Sequence, residues 1–179
     1  MLEPQDEIGC IARCLKGDAS AFEPLVERYD KVLFTVALRL LGNAEDARDA
    51  TQNAFVRAYQ RLDSFDPSRR FFSWIYRIAV NESLNLRRAQ RPHDPLPETL
   101  MAAGGAMDGI EARELSERVQ AALMTLTPEH RAVVVMRHFA DLSYEEIAET
   151  LDIPEKTVKS RLFSARQRLA PLLAAGEGR

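Results

Sequence analysis

The sequence predicts an all-α protein of two small helical domains joined by a flexible linker. Three observations carry this. Apolar residues recur at helical spacing through 20–91, with capping signals at helix starts and Gly or Asn at stops. The same pattern returns over 110–169. Between the blocks, Pro92-His93-Asp94-Pro95-Leu96-Pro97 and the stretch 101–109, with Gly104, Gly105 and Gly109, read as a linker, stiff first and loose after. The expected divisions are a domain at 1–91, a linker at 92–110, a domain at 111–172 and a tail at 173–179. At 179 residues, 46% of them hydrophobic, the chain has apolar side chains enough for two cores.

The first domain opens with a short helical segment, Ile8–Lys16, stopped by Gly17. Ser20 followed by Glu23 has capping-box spacing. The next helix carries Phe22, Leu25, Val26, Tyr29, Val32, Leu33, Val36, Ala37 and Leu40 until Leu41-Gly42-Asn43 ends it. Asn43 caps a third helix running to about Leu62, with an inward row of Ala47, Ala50, Ala54 and Ala58 anchored by Phe55. Its other face offers Asp46, Asp49, Gln52, Asn53, Arg57 and Val56, which the residues alone leave as a solvated surface. A turn-rich loop, 63–68, leads into a helix over about 69–91. There Ile75, Ile78, Ala79 and Leu86 point inward, while Phe71, Phe72, Trp74 and Tyr76 interleave with Arg69, Arg70, Arg77, Arg87 and Arg88. Aromatic rings among cations suit single-stranded DNA, whose bases stack while arginines hold its backbone. The same Trp74 and Phe pair also suit a plain core.

The second domain begins with a helix, Ile110–Met124, whose inward residues are Leu115, Val119, Ala122 and Leu123. Thr127-Pro128-Glu129 starts another, leading into Arg131–Ala140, with proline in the first turn where its missing N–H costs nothing. Ser143 and Glu146 form a capping box before Ile147, Ala148 and Leu151. Asp152-Ile153-Pro154 breaks the pattern, and a second helix, Glu155–Arg168, holds an inward stripe of Val158, Leu162, Ala165 and Leu169. Its outward residues are Lys156, Thr157, Lys159, Ser160, Arg161, Ser164, Arg166 and Gln167, against an acidic exterior (Glu145, Glu146, Glu149) on the helix before. Helix, short turn and basic helix is the helix-turn-helix arrangement, in which cations meet phosphates and short polar side chains meet base edges.

Composition sets exclusions. No apolar run is long enough to span a membrane, and the start, MLEPQDEIGC, is acidic rather than signal-like, so a cytoplasmic protein is expected. No Gly-rich phosphate loop and no catalytic-triad spacing occur, so neither an enzyme nor a cofactor is expected. Cys10 and Cys14 could form half a metal site with His93, His130 or His138, but no histidine lies near them in sequence. They read as a reduced helix pair without a metal. The net charge of −3 hides segregation. Acids crowd 3–49, and basic residues crowd 57–91 and the last helix.

Three segments in this order resemble the extracytoplasmic-function (ECF) class of sigma factors, the smallest of the sigma-70 family. They are NAEDARDATQNAFVRAYQRL, FFSWIYRIAVNESLNLRR, and LTPEHRAVVVMRHFADLSYEEIAETLDIPEKTVKSRLFSARQRL. The resemblance spans about Gly17 to Leu169 and implies region two and region four on a flexible linker. It implies that Asp46, Asp49, Gln52, Asn53 and Val56 grip the beta-prime clamp helices of core RNA polymerase, in place of the solvated reading. It places Phe65, Arg69, Arg70, Trp74, Arg77, Asn81, Asn85 and Arg88 on the minus-ten element, which they open and read. Lys156, Thr157, Lys159, Ser160, Arg161, Ser164 and Arg166 fall to the minus-thirty-five element in the major groove. Asn85 stands where many relatives carry Asp, and the Arg69-Arg70-Phe71 loop is bulkier than common versions.

The implied mechanism is promoter selection, with polymerisation left to the core enzyme and the sigma factor released after initiation. Implied partners are core polymerase (beta-prime clamp helices and beta flap), promoter DNA and an anti-sigma factor wedged between the domains, which could hold the protein at the membrane until release to the nucleoid. The rival readings are a stand-alone helix-turn-helix regulator binding duplex as a dimer, which leaves 69–91 idle, and a helical adaptor without DNA contact.

Overall fold

The computed structural model describes residues 4–89 and 110–174, and the side chains of 6–89 and 114–174. Most of the expected linker and the end of the tail lie outside the described residues. Eight α-helices and two short turns of 3-10 helix account for the described secondary structure, with no strand among these residues. The described residues fall into two compact units, 4–37 with 45–89 and 38–44 with 110–174. Each is taken by itself.

The first unit holds α1 (Pro4–Leu15), α2 (Glu23–Leu41, whose last turn groups with the second unit), α3 (Ala44–Gln60) and α4 (Phe71–Ala89). Gly17 closes the turn after α1 at φ +97, and Gly42 stops α2 at φ +88, donating its N–H to the Leu38 carbonyl at 2.9 Å. This left-handed backbone is open to glycine without a Cβ penalty. The alanine row on α3 is buried as the periodicity requires, joined by Thr51. The Thr51 hydroxyl donates to the Ala47 carbonyl at 2.7 Å, and Ser83 on α4 donates to Ala79 at 2.8 Å. Each hydroxyl is satisfied within its own helix, which lets a small polar residue sit in the core. Leu25, Leu33, Ile75, Tyr76 and Val80 are fully buried, each aliphatic one contributing about 1.5–3 kcal/mol. Arg57 pairs with Glu82 at 2.8 Å, tying α3 to α4.

Three expectations need correction here. Ser20 caps no helix. It lies inside the 3-10 turn Ala19–Phe22 and donates to Asp18 at 2.6 Å, because the Asp18 carboxylate, also gripped by Arg13, competes for the hydroxyl. The last helix of this unit starts at Phe71 rather than Arg69, since Asp66 accepts from the Ser68 N–H and hydroxyl and the Arg69 N–H donates back to the Asp66 carbonyl. Such an Asp-centred turn offers the backbone an alternative to helix. The third helix stops at Gln60, with Leu62 buried in a separate 3-10 turn.

The second unit packs α5 (Ile110–Met124), α6 (Pro128–Phe139) and α7 (Tyr144–Leu151) around α8 (Glu155–Ala174). Pro128 opens α6 after Thr127, and the Ser143–Glu146 capping box is complete in both directions, at 3.1 and 2.8 Å. Ser143→Ala should therefore cost about 1 kcal/mol. Thermal unfolding measures it, and an unchanged melting temperature would show the box to be redundant. Asp152, at φ 52, carries the chain out of α7, and the Pro154 carbonyl accepts the first α8 N–H bonds, from Thr157 at 2.8 Å and Val158 at 3.2 Å. Val158, Leu162, Ala165 and Leu169 are all buried. Two features depart from expectation. Leu115 is 54% exposed rather than inward, and α8 runs through Pro171 to Ala174, well past Arg168.

Candidate functional site

Three surfaces collect the candidate residues. On α8, Lys156, Lys159, Ser160 and Arg166 are exposed, and Thr157, Arg161 and Ser164 are half-buried at the edges of that face. The buried stripe fixes the rotation of the helix, so the face opposite must look outward. Lys159 Nζ lies 2.6 Å from Glu155 and 5.5 Å above the Tyr144 ring, which Arg137 also approaches at 5.5 Å. One aromatic face of α7 thus gathers two cations beside the basic helix. Burial, then the charges of Arg166 and Arg137, push the His138 imidazole below its ordinary value, so it does not add to the positive charge. The Glu129 carboxyl is held low mainly by its own backbone N–H, with Arg161 adding to the effect.

On α4, Trp74, Arg77, Asn81, Asn85 and Arg88 recur at i, i+3, i+7, i+11 and i+14, one stripe of partly or fully exposed side chains opposite the buried Ile75, Ala79 and Val80. Arg69 and Arg70 are exposed on the loop before it. Phe65 sits elsewhere. It is 8% exposed, with its ring edge-on to Phe71 at 5.3 Å and tilted against Trp74 at 5.5 Å. It packs under Trp74 and also lines a cavity of this unit. Tyr76 and Phe71 are likewise core.

On α3, Asp49, Gln52, Asn53 and Val56 are exposed and Asp46 half-exposed, sharing the side opposite the alanine row. Val56 is 54% exposed within this polar stripe.

Residues 25–93 match the model of sigma-70 region 2, and residues 116–169 that of sigma-70, region 4. The chain is 35% identical over 172 residues to the ECF RNA polymerase sigma factor SigW of Bacillus subtilis (strain 168), covering 89% of this chain and 92% of that one. The chain belongs to the ECF sigma factors. Among solved structures, CnrH in complex with the cytosolic domain of CnrY is similar at a TM-score of 0.69 and 31% identity, covering 96% of this chain and 98% of that one. The sigma factor RpoE of Bartonella quintana, in complex with the anti-sigma factor NepR, shares the fold at a TM-score of 0.69 and 22% identity, over 87% and 98% of the two chains. This protein is therefore a sigma factor directing transcription rather than a stand-alone regulator, and sigma factors are not enzymes. The matched region 2 covers 69–91, which the dimeric-regulator reading left without a task.

Two residues of this sigma factor escaped the sequence reading. Phe163 is 64% exposed on α8, seven residues from Lys156 and four from Lys159, so its ring stands in the middle of the basic face. Tyr59 is 41% exposed one turn beyond Val56 and extends the apolar part of the α3 surface. The signal was available in each case, since both keep helical spacing with the outward set and break it with the inward one. Cys10 and Cys14 are both buried on α1 with no disulfide between them, and burial pushes the Cys14 thiol up, away from the reactive thiolate. Among the described residues no cluster is arranged for a metal ion, and no helix is long and apolar enough to cross a membrane.

Proposed function

We propose that the α3 face with Asp46, Asp49, Gln52, Asn53, Val56 and Tyr59 binds core RNA polymerase at the beta-prime clamp helices, while region 4 meets the beta flap. Arg69, Arg70 and the α4 stripe from Trp74 to Arg88 take and open the minus-ten element. The α8 face reads the minus-thirty-five element as duplex, with Phe163 placed to touch a thymine methyl in the major groove. The observation that carries this is the pairing of two chemically unlike surfaces in one chain. One is aromatic and cationic, suited to unstacked bases, and the other is a basic helix suited to a groove. Phe65 acts by holding Trp74 in place. The functional domains follow the expected divisions, 1–91 and 111–172, and the working place is the cytoplasm. An anti-sigma factor is the proposed inhibitor, on the ground that a similar fold is found bound to one.

The test is run-off transcription with purified core polymerase on a genomic promoter library, with and without the protein. Discrete transcripts only on its addition, with starts that share two spaced elements, are expected. The free acidic chain should bind promoter DNA weakly, so a tight specific gel shift without polymerase would count against the scheme. Val56→Arg is expected to weaken polymerase binding about tenfold or more, with stability changed by less than about 0.5 kcal/mol because the position is exposed. Unaltered affinity in that variant would move the polymerase contact off α3.

A further inference from the structure

One acid interrupts the cationic helix of the first unit. α4 carries Arg77, Arg87 and Arg88 and a single carboxylate, Glu82. Glu82 follows Asn81 and stands at i,i+3 spacing before Asn85, so it flanks the stripe that runs from Trp74 to Arg88. Its side chain is only 11% exposed, and water and salt screen it less than a fully solvated charge. Left unbalanced, it would repel any phosphate led along that stripe. The arginines of α4 do not stand at the i,i+3 or i,i+4 spacing at which helix side chains pair with it. The balance comes from another helix. Arg57 of α3 places Nε 2.8 Å from Glu82 Oε1, the distance of a charge-assisted hydrogen bond. Arg57 follows Val56 and lies one turn beyond Asn53, at the margin of the outward α3 face. Its side chain is half in water, so the pair contributes little to stability. What the pair changes is the potential beside the α4 stripe.

We propose that Arg57 is a positioning residue for promoter opening, which neutralises Glu82 and so keeps the flank of α4 open to the phosphates of the separated strand, without touching DNA itself. Without the guanidinium, a like charge stands beside the strand, a penalty of about threefold to tenfold at the effective dielectric of a protein surface. The same ion pair joins α3 to α4, so the helix proposed to hold polymerase also sets the charge of the helix proposed to hold the minus-ten strand. The inference rests on the minus-ten reading above and adds to it a residue from a different helix.

The test assembles the protein with core polymerase on a promoter recovered by run-off transcription. Permanganate reads the unpaired thymines at saturating protein, each variant compared with wild type at several salt concentrations. Arg57→Ala should lower opening about threefold to tenfold, and the deficit should shrink as salt screens the repulsion. Its affinity for polymerase should stay within about twofold, because the residue is at the margin of the α3 face. Glu82→Gln alone should open the promoter as wild type does, and added to Arg57→Ala it should restore opening to within about twofold. If Arg57→Ala melts early, the exchanged pair, Arg57→Glu with Glu82→Arg, decides, because it keeps the tie between the helices. Opening near the wild-type level by the exchanged pair supports the inference, and loss of opening overturns it. Wild-type opening by a folded Arg57→Ala variant, or a deficit that salt does not diminish, overturns the inference and spares the minus-ten reading. A deficit that Glu82→Gln fails to relieve does the same, and makes Arg57 a direct contact. Unimpaired opening by a variant carrying both Arg77→Glu and Arg88→Glu overturns the minus-ten reading and the inference with it.

Discussion

Lys159→Glu should sharply reduce promoter-directed transcription while leaving the protein folded. The side chain is exposed on the outward face of α8, with Val158 beside it in the core, so no packing is disturbed. Lysine and glutamate have similar helix propensity. What changes is the field. Lys159 is now balanced by Glu155 at 2.6 Å, an exposed i,i+4 pair of little worth to stability and easily surrendered to a phosphate. Reversal places two carboxylates one turn apart on the surface proposed to approach DNA. Loss of one phosphate contact should lower the slope of log affinity against log salt by about 1, and repulsion adds to that. A fall in transcription of about tenfold to a hundredfold is expected, with Lys159→Gln in between. Full activity from the folded Glu variant would take the minus-thirty-five contact away from this face.

The helix-turn-helix could be read so closely because each of its signals is local. The Ser143–Glu146 box spans one turn, the break at 152–154 contains its own proline, and the α8 stripe repeats four times. Where the reading missed, a second candidate competed for the same group or the deciding partner lay far off in sequence. Ser20 had the spacing of a cap, but Asp18 was nearer. Leu115 shows that an apolar residue at inward spacing does not announce whether it is buried. The burial of Phe65 against Phe71 and Trp74 was likewise not legible from the loop alone. The candidate surfaces were thus legible as helix faces.

Arg131→Met is expected to produce the largest loss of stability. Arg131 was legible only as an early residue of a helix, yet it is 1% exposed. Its Nε donates to the Leu123 carbonyl at 2.9 Å, and its Nη2 donates to Met124 at 3.1 Å and Leu126 at 3.0 Å. Those carbonyls belong to the end of α5 and the turn after it, where a helix leaves its last acceptors without intrahelical donors. A guanidinium there satisfies the acceptors and opposes the negative end of the helix dipole. Methionine fills similar space but donates nothing, so buried carbonyls lose their partners at about 1–3 kcal/mol each. A total of about 3–5 kcal/mol is reasonable for removing one side of a buried charged network. In a unit of this size that corresponds to a melting temperature lower by roughly 15–30 °C. Arg131→Lys should recover part of the loss, since an ammonium keeps the charge but not the fork. Because the α3 face belongs to the other unit, the Met variant should still bind core polymerase while losing minus-thirty-five-dependent transcription. Calorimetry and a polymerase-binding assay together check this. A Met variant that melts with the wild type would mean that water can serve these carbonyls and that the fork does not hold α5 to α6.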